Sequence, residues 1–234
     1  MRVFDLNWMQ LEDYLRRDDR IVLPLASTEQ HAYLSLGTDA IVAERLAVEA
    51  SEPVGVPVLP AQPYGVAPGF AAFPGSPTLR VETFLALVRD LLESLHAQGF
   101  RRVLIVNAHG GNIPAAAVAT EFSAAHEDAQ VLFHSWWISP AVRAVVDAVD
   151  PQASHASWLE NFPWTRLFGV ELPTAHKPAV EGQALRTASP RLLRELVGDG
   201  SYGGFYSRPD DEVLEVWRTA VEEVRDLLVS GWRD

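Results

Sequence analysis

Two short stretches carry side chains able to do chemistry together. Residues 27–39 (STEQHAYLSLGTD) hold Glu29, His31 and Asp39, and residues 107–112 (NAHGGN) hold His109 beside Gly110 and Gly111. Glu29 and His31 stand two apart, so extended backbone projects both to one side. Imidazole nitrogen with carboxylate oxygen suits a divalent ion or acid–base work. The glycine pair lets the backbone turn tightly and a ligand approach closely. Each feature has a plainer reading. Asp39 can cap a helix, the glycines can form a turn, and a lone loop histidine is more often structural. Singly, the plainer readings win. Jointly they weaken, because both stretches follow strand-like runs, and ligands of open parallel sheets bind beyond the strands' carboxyl ends.

The elements that must position these residues alternate between strand and helix. Residues 21–26 (IVLPLA) read as a buried strand, with Pro24 placing it at an edge or a strand end. Thr38 and Asp39 open the helix AIVAERLAVEA. Residues 8–18 offer a short helix and 54–59 another strand. Residues 60–79, rich in Pro, Gly and Ala, make a long loop of the kind that is functional or mobile. VETFLALVRDLLESLHAQ keeps a 3.6-residue period and closes at Gly99. FRRVLIVN is a strand with the apolar core VLIV, and Pro114 opens the helix PAAAVATEFSAAHED. Residues 130–136 read as the next strand, 150–185 as irregular, and the tail DDEVLEVWRTAVEEVRDLLVSGW as an amphipathic helix. The pattern predicts one α/β domain over residues 1–234, with a mostly parallel central sheet covered on both faces.

Composition narrows the chemistry. Lys and Arg number 19 against 31 Asp and Glu, a net charge of −12, and the tight basic pairs are Arg16-Arg17 and Arg101-Arg102. Such a balance argues against nucleic acid and against anionic membrane surfaces. No cysteine is present, so disulfides, thiolate zinc sites and a cysteine nucleophile are out, and any metal must bind through His nitrogen and carboxylate oxygen. The first residues show no apolar signal-peptide core, and no run suffices to span a membrane, which makes the cytoplasm the expected location. There is no Gly-x-Ser-x-Gly elbow of a serine hydrolase.

Four blocks, in order, resemble the creatininase (creatinine amidohydrolase) family. They are Ser27-Thr28-Glu29-Gln30-His31 with Thr38-Asp39; Phe73-Pro74-Gly75-Ser76; the run from Gly99 to Asn112, with Ala108 where the family has Gly; and His155-Ala156-Ser157 followed by Glu160. The resemblance covers roughly residues 20–160. It implies a three-layer α/β sandwich, a homohexamer, and a two-metal centre of Zn, Mn or Fe built from Glu29, His31, Asp39 and His109, with Asp39 bridging. Creatininases proper carry a Glu two residues after the third-block His, where this chain has Gly111. In relatives with His-Gly-Gly-Asn the fourth-block Glu supplies that carboxylate, which maps to Glu160. His155 would protonate the leaving nitrogen. Read alone, His155 and Glu160 are a polar surface pair in a loop.

The chain also departs from the family pattern. Glu29 and Asp39 are ten apart rather than eleven, a second His is absent around Tyr33-Leu34, and GVAPGFAAFPG lacks ionisable side chains. Both changes remove polar groups, predict a more apolar pocket, and count against creatinine itself. Of seven Trp, Trp136, Trp137, Trp158 and Trp164 lie near the blocks. Trp136 or Trp137 and Trp158 are candidates to cover a flat substrate, with core or interface packing the plainer role. His96 and His126 are expected to be exposed on helices. The expected function is metal-dependent hydrolysis of a C–N bond in a small cyclic amide or formamide-like substrate, by a metal-bound hydroxide. The family also includes peptide-cleaving members, and loss of polar groups leaves open a non-catalytic ligand-binding oligomer.

Overall fold

Strand β1 (Arg20–Leu25) pairs in parallel with β2 (Arg102–Asn107), and β2 with β3 (Gln130–Ser135), in the order β1-β2-β3. The computed structural model describes residues 1–233, apart from the side chain of Arg186. Leu25, Asn107 and Ser135 lie level in the register, so the three carboxyl ends open on one side of the sheet.

Alternation along β2 builds two cores. Val103 and Ile105 join Ile21, Leu23 and Leu25 beneath α3 (Val81–Gln98) and α4 (Ala115–Ala125), through Phe84, Leu92, Val118 and Phe122. Leu104 and Val106 join Val22 beneath α2 (Thr38–Ser51), α5 (Pro140–Val149) and α8 (Asp210–Ser230), through Leu46, Val146 and Trp217. Burial on both faces is why the strands are apolar throughout rather than alternating. The result is the anticipated three-layer α/β sandwich. Tyr14 of α1 (Trp8–Leu15) closes the core beneath α3 and α4. Among the described residues, no helix is long and apolar enough to cross a membrane.

Pro24 fits its place in β1. Its neighbours Val22 and Ala26 donate outward, to the carbonyls of Pro57 and Gln62, each at 3.0 Å, so the missing N–H faces away from β2. The strand expected over 54–59 does not form. A 3-10 turn (Glu52–Val54) is followed by single bridges from Val58 to Val22 and Arg2. Pro53, Pro57 and Pro60 remove the donors a continuous ladder needs. The third strand stops at Ser135, and Trp136 begins a 3-10 turn (Trp136–Ile138). Within 150–185 the chain forms β4 (His176–Lys177) and enters α6 (Gly182–Thr187). Helices α5 and α7 (Pro190–Val197) both begin with a capping Ser followed by Pro, signals present in the sequence as Ser139-Pro140 and Ser189-Pro190.

Strand β4 pairs antiparallel with β5 (Gly204–Phe205), and buried Asp150 anchors the pair. Its carboxylate accepts from the Phe205 amide (2.9 Å) and the Gln152 amide (3.0 Å) and meets His176 Nε2 at 3.1 Å. Burial works against ionisation, but His176 and the two amides outweigh it and hold Asp150 below the usual aspartate range. A depressed carboxyl pKa contributes stability that is complete above the unfolded value and fades as pH falls through the folded one. Asp150→Asn is therefore expected to lose about 1–3 kcal/mol at pH 7, with the gap to wild type closing below roughly pH 4 in urea unfolding.

Candidate metal centre

The level strand ends deliver the first two blocks together. Past β1 the chain places Glu29 and His31 in a loop and Asp39 in the first turn of α2, and past β2 it places His109. Glu160 comes from a 3-10 turn (Trp158–Glu160) after α5, with His155 just before it. The non-glycine residues with left-handed φ among those described are Ala32 (50°) and Ala156 (55°). Each directly follows a site histidine, so backbone strain is stored where the imidazoles are aimed.

All six anticipated residues converge. Glu29, His31, Asp39, His109 and Glu160 are buried, and the His155 side chain is 15% exposed. His31 Nε2 lies 3.0 Å from Asp39 Oδ1 and 3.8 Å from Glu160 Oε2. His109 Nδ1 lies 3.1 Å from Asp39 Oδ2 and 3.2 Å from Glu29 Oε1. His155 Nδ1 is 3.8 Å from Glu29 Oε1. Two three-residue groups with metal-binding spacing result, Glu29–Asp39–His109 and His31–Asp39–Glu160, and Asp39 belongs to both. A third group joins Glu29, His31 and His155. The loop shortened by one residue still brings His31 onto Asp39.

Backbone carbonyls orient the imidazoles. His31 Nδ1 reaches Glu29 O at 3.2 Å, and His109 Nε2 reaches Val66 O at 3.0 Å. Donation to these carbonyls turns the other nitrogen's lone pair onto the carboxylates, as in metal-ligating histidines. Glu29 Oε2, His31 Nε2 and Asp39 Oδ2 are buried without a hydrogen-bond partner. Close carboxylates and imidazole lone pairs that form no hydrogen bonds fit groups sharing a cation, and this N/O set suits Zn, Mn or Fe.

The electrostatics agree. Burial pulls the His31 imidazole down, but Asp39, Glu160 and Glu29 outweigh it and push it up to about 10. Burial likewise opposes a charged His109, and Glu29 and Asp39 hold it well above its usual value. Burial pushes Asp39 up, yet His31 and His109 hold it far below the carboxylate range. Glu160 is pushed up to about 7, mainly by burial. His155 falls well below the usual histidine range through burial and the nearby His31 charge. A site that draws protons this strongly draws metal cations in competition with them.

The position of Gly111 admits no side chain. A Cβ there would lie 1.7 Å from Val66 O and 2.6 Å from His109 Nε2, leaving no room for a Glu. Glu160, its Oε2 accepting from the Ala156 amide at 2.6 Å, stands on the His31 side instead. The tryptophans divide between the two roles open to them. Trp136 and Trp158 are fully buried in the core beneath α2, α5 and α8, and Trp164 packs on Phe162 and Trp217; Trp137 faces the site. Their large apolar area fills the space under α8. His96 and His126 are half-buried and face each other 4.4 Å apart rather than standing exposed.

Sequence reasoning passed over the partners that hold the site. Gln30 Nε2 donates to Gly200 O (3.0 Å) and lies 2.9 Å from His155 Nε2, fastening a late loop to the first block. Asn112 accepts from the Val66 amide (3.2 Å) and donates to Ala26 O (3.0 Å), joining β1 to the 60–79 loop behind His109. Its sequence signal was its place ending His-Gly-Gly-Asn. Asn112→Ala is expected to weaken metal affinity about 10–100-fold, the usual cost of removing an orienting partner, as read by competition with a chromogenic chelator.

The centre lines a cavity of about 630 Å³ whose other walls include Phe70, Trp137, Ile138, Val180, Leu185 and Tyr202. Phe70 stacks on His155 at 4.9 Å. Pseudomonas putida creatinine amidohydrolase is 24% identical over 163 residues, 64% of this chain and 63% of that protein. A mycofactocin precursor peptide peptidase of Mycolicibacterium smegmatis is 32% identical over 106 residues, 42% of each. The chain thus spans less than two thirds of the length of either relative. A crystal structure of creatininase aligns with TM-score 0.77 at 20% identity, covering 100% of this chain and 98% of that one. A zinc–zinc form of a mutant creatininase gives 0.76 at 19%, covering 100% and 98%. Fold and site architecture therefore point the same way as the family profile described as creatinine amidohydrolase, which matches residues 4–209, and the chain belongs to the creatininase family of hydrolases.

Proposed function

We propose that the protein is a metal-dependent amidohydrolase that cleaves a C–N bond in a small cyclic amide or formamide-like substrate. The observation that carries this reading is the sharing of Asp39 between two buried groups of metal-ligand chemistry. Glu29, Asp39 and His109 would hold one divalent ion, and His31, Asp39 and Glu160 a second. When bound, such a pair activates water and polarises a carbonyl. The chain's own residues do the rest. His155, kept neutral by burial, turns Nδ1 toward Glu29 with Nε2 3.0 Å from Gln30 O. From there it takes a proton from the attacking water and returns it to the leaving nitrogen. Phe70 and Tyr202 keep water from the His155 face.

A peptide substrate is the second reading, favoured by the cavity of about 630 Å³, which exceeds the needs of a small cyclic amide. Metal analysis of protein purified without chelator tests the proposal. About two transition ions per chain are expected, as in two-metal hydrolases, with activity on cyclic amides, formamides or short peptides lost on chelation and restored by Mn or Zn. A stable protein that stays metal-free after such loading would overturn it.

A further inference from the structure

The proposed function leaves the substrate's far end unassigned, and one residue on the cavity wall addresses it. Arg143 is the sole Lys or Arg among the described residues lining the cavity. It stands in the first turn of α5, just past the carboxyl end of β3. Its guanidinium is anchored, with Nη1 donating to Ala153 O (3.2 Å) in the segment that leads to His155, and Nη2 to Asp147. Those bonds use two of five N–H donors. The side chain is 26% exposed, and Asp147, one turn further along α5, is not among the lining residues. The remaining walls are mostly apolar, with Phe70, Ile138, Val180 and Leu185 offering no polar side chain.

We infer that Arg143 is a specificity residue and that the substrate is an amide bearing a carboxylate, which the guanidinium clamps while the amide lies at Asp39. This rests on the proposed function, because the field favours an anion only once two divalent ions outweigh the carboxylates of Glu29, Asp39 and Glu160. A rigid guanidinium fork matches a carboxylate in planar, paired hydrogen bonds, and the apolar walls strengthen that pairing by excluding water. Gln152, Ser154 and Tyr202 also line the cavity but carry no charge, so Arg143 is the one cationic side chain on the described wall able to pair with a charged end.

Calorimetric titration of manganese-loaded protein with ω-amido carboxylates, from malonamate to adipamate, and with the matching neutral diamides tests the inference. At least one anion is expected to bind about tenfold or more tightly than its diamide, as a charge-assisted pair allows. Arg143→Met should abolish that preference with metal content unchanged, and Arg143→Lys should restore part of it. A preference that survives Arg143→Met in metal-replete protein overturns the clamp alone, because the carboxylate would then be binding the ions. Absence of any preference in metal-replete wild type also overturns it. A wild type that holds no metal overturns both this inference and the proposed function.

Discussion

Asp39→Ala will strip the protein of both ions rather than one. Asp39 Oδ1 faces His31 and Oδ2 faces His109, so both halves of the centre lose a shared ligand together. The fall in hydrolysis should exceed the roughly 100-fold upper cost of losing an orienting partner. Glu160→Ala touches only the His31 group, so it should lower metal content toward one ion per chain. Elemental analysis of the two variants side by side separates a bridging Asp39 from a merely adjacent one, since equal losses in both would refute the bridge. Stability should fall even apart from occupancy. Without ions, removing the Asp39 carboxylate leaves His31 and His109 with fewer acceptors, and the urea midpoint should fall.

Gly111→Ala is the second large effect. The added Cβ would overlap the Val66 carbonyl at 1.7 Å and crowd His109 Nε2 at 2.6 Å, and the carbonyl is backbone with no flexible side chain to yield. The 60–79 loop must move away, which breaks the His109–Val66 hydrogen bond and releases the imidazole from its orientation. A loss of about 3 kcal/mol, the upper part of the overpacking range, is expected in denaturant unfolding, together with loss of metal from the Glu29–Asp39–His109 group. Gly110→Ala is the control, because its Cβ would meet only Trp137 at 4.0 Å, an ordinary contact. Equal behaviour of the two variants would refute this account.

Much of this was legible in the residues. The apolar runs fixed β1 and β2 and the long amphipathic periods fixed α3 and α8, because burial on defined faces writes itself into spacing. Glu29, His31, Asp39 and His109 could be placed at strand ends from local pattern alone. Glu160 could not, since nothing near residue 160 in the chain marks it; only the likeness to relatives nominated it, and folding brings it to His31 from 129 positions away. Residues 54–59 misled because Val and Leu favour strand while Pro53, Pro57 and Pro60 deny the ladder its donors, and the prolines won. The tryptophans could not be told apart because nearness in sequence is not nearness in space: Trp136 and Trp137 are neighbours, yet one is core and the other faces the cavity. Gln30 and Asn112 went unread because their roles are contacts to distant backbone, which no local spacing records.

The carbonyl of Val66 has a consequence for how this loop tolerates change. His109 is aimed by a main-chain atom, and every residue type supplies the same one. As far as aiming His109 goes, the loop can therefore exchange side chains, as the stretch GVAPGFAAFPG with its lack of ionisable groups illustrates, while its path and length stay under constraint. Point substitutions across 60–79 should be largely silent toward the orientation of His109, Gly65 excepted, where a Cβ would press on Asn112 and Ala26; Phe70, stacked on His155, and Ser76, which accepts from the Gln30 amide, act on the site by their side chains. Deleting one residue between Gln62 and Val66 should not be silent, for it moves the acceptor itself. So far as His109 is concerned, heritable variation in this segment is thus filtered by geometry and barely by chemistry.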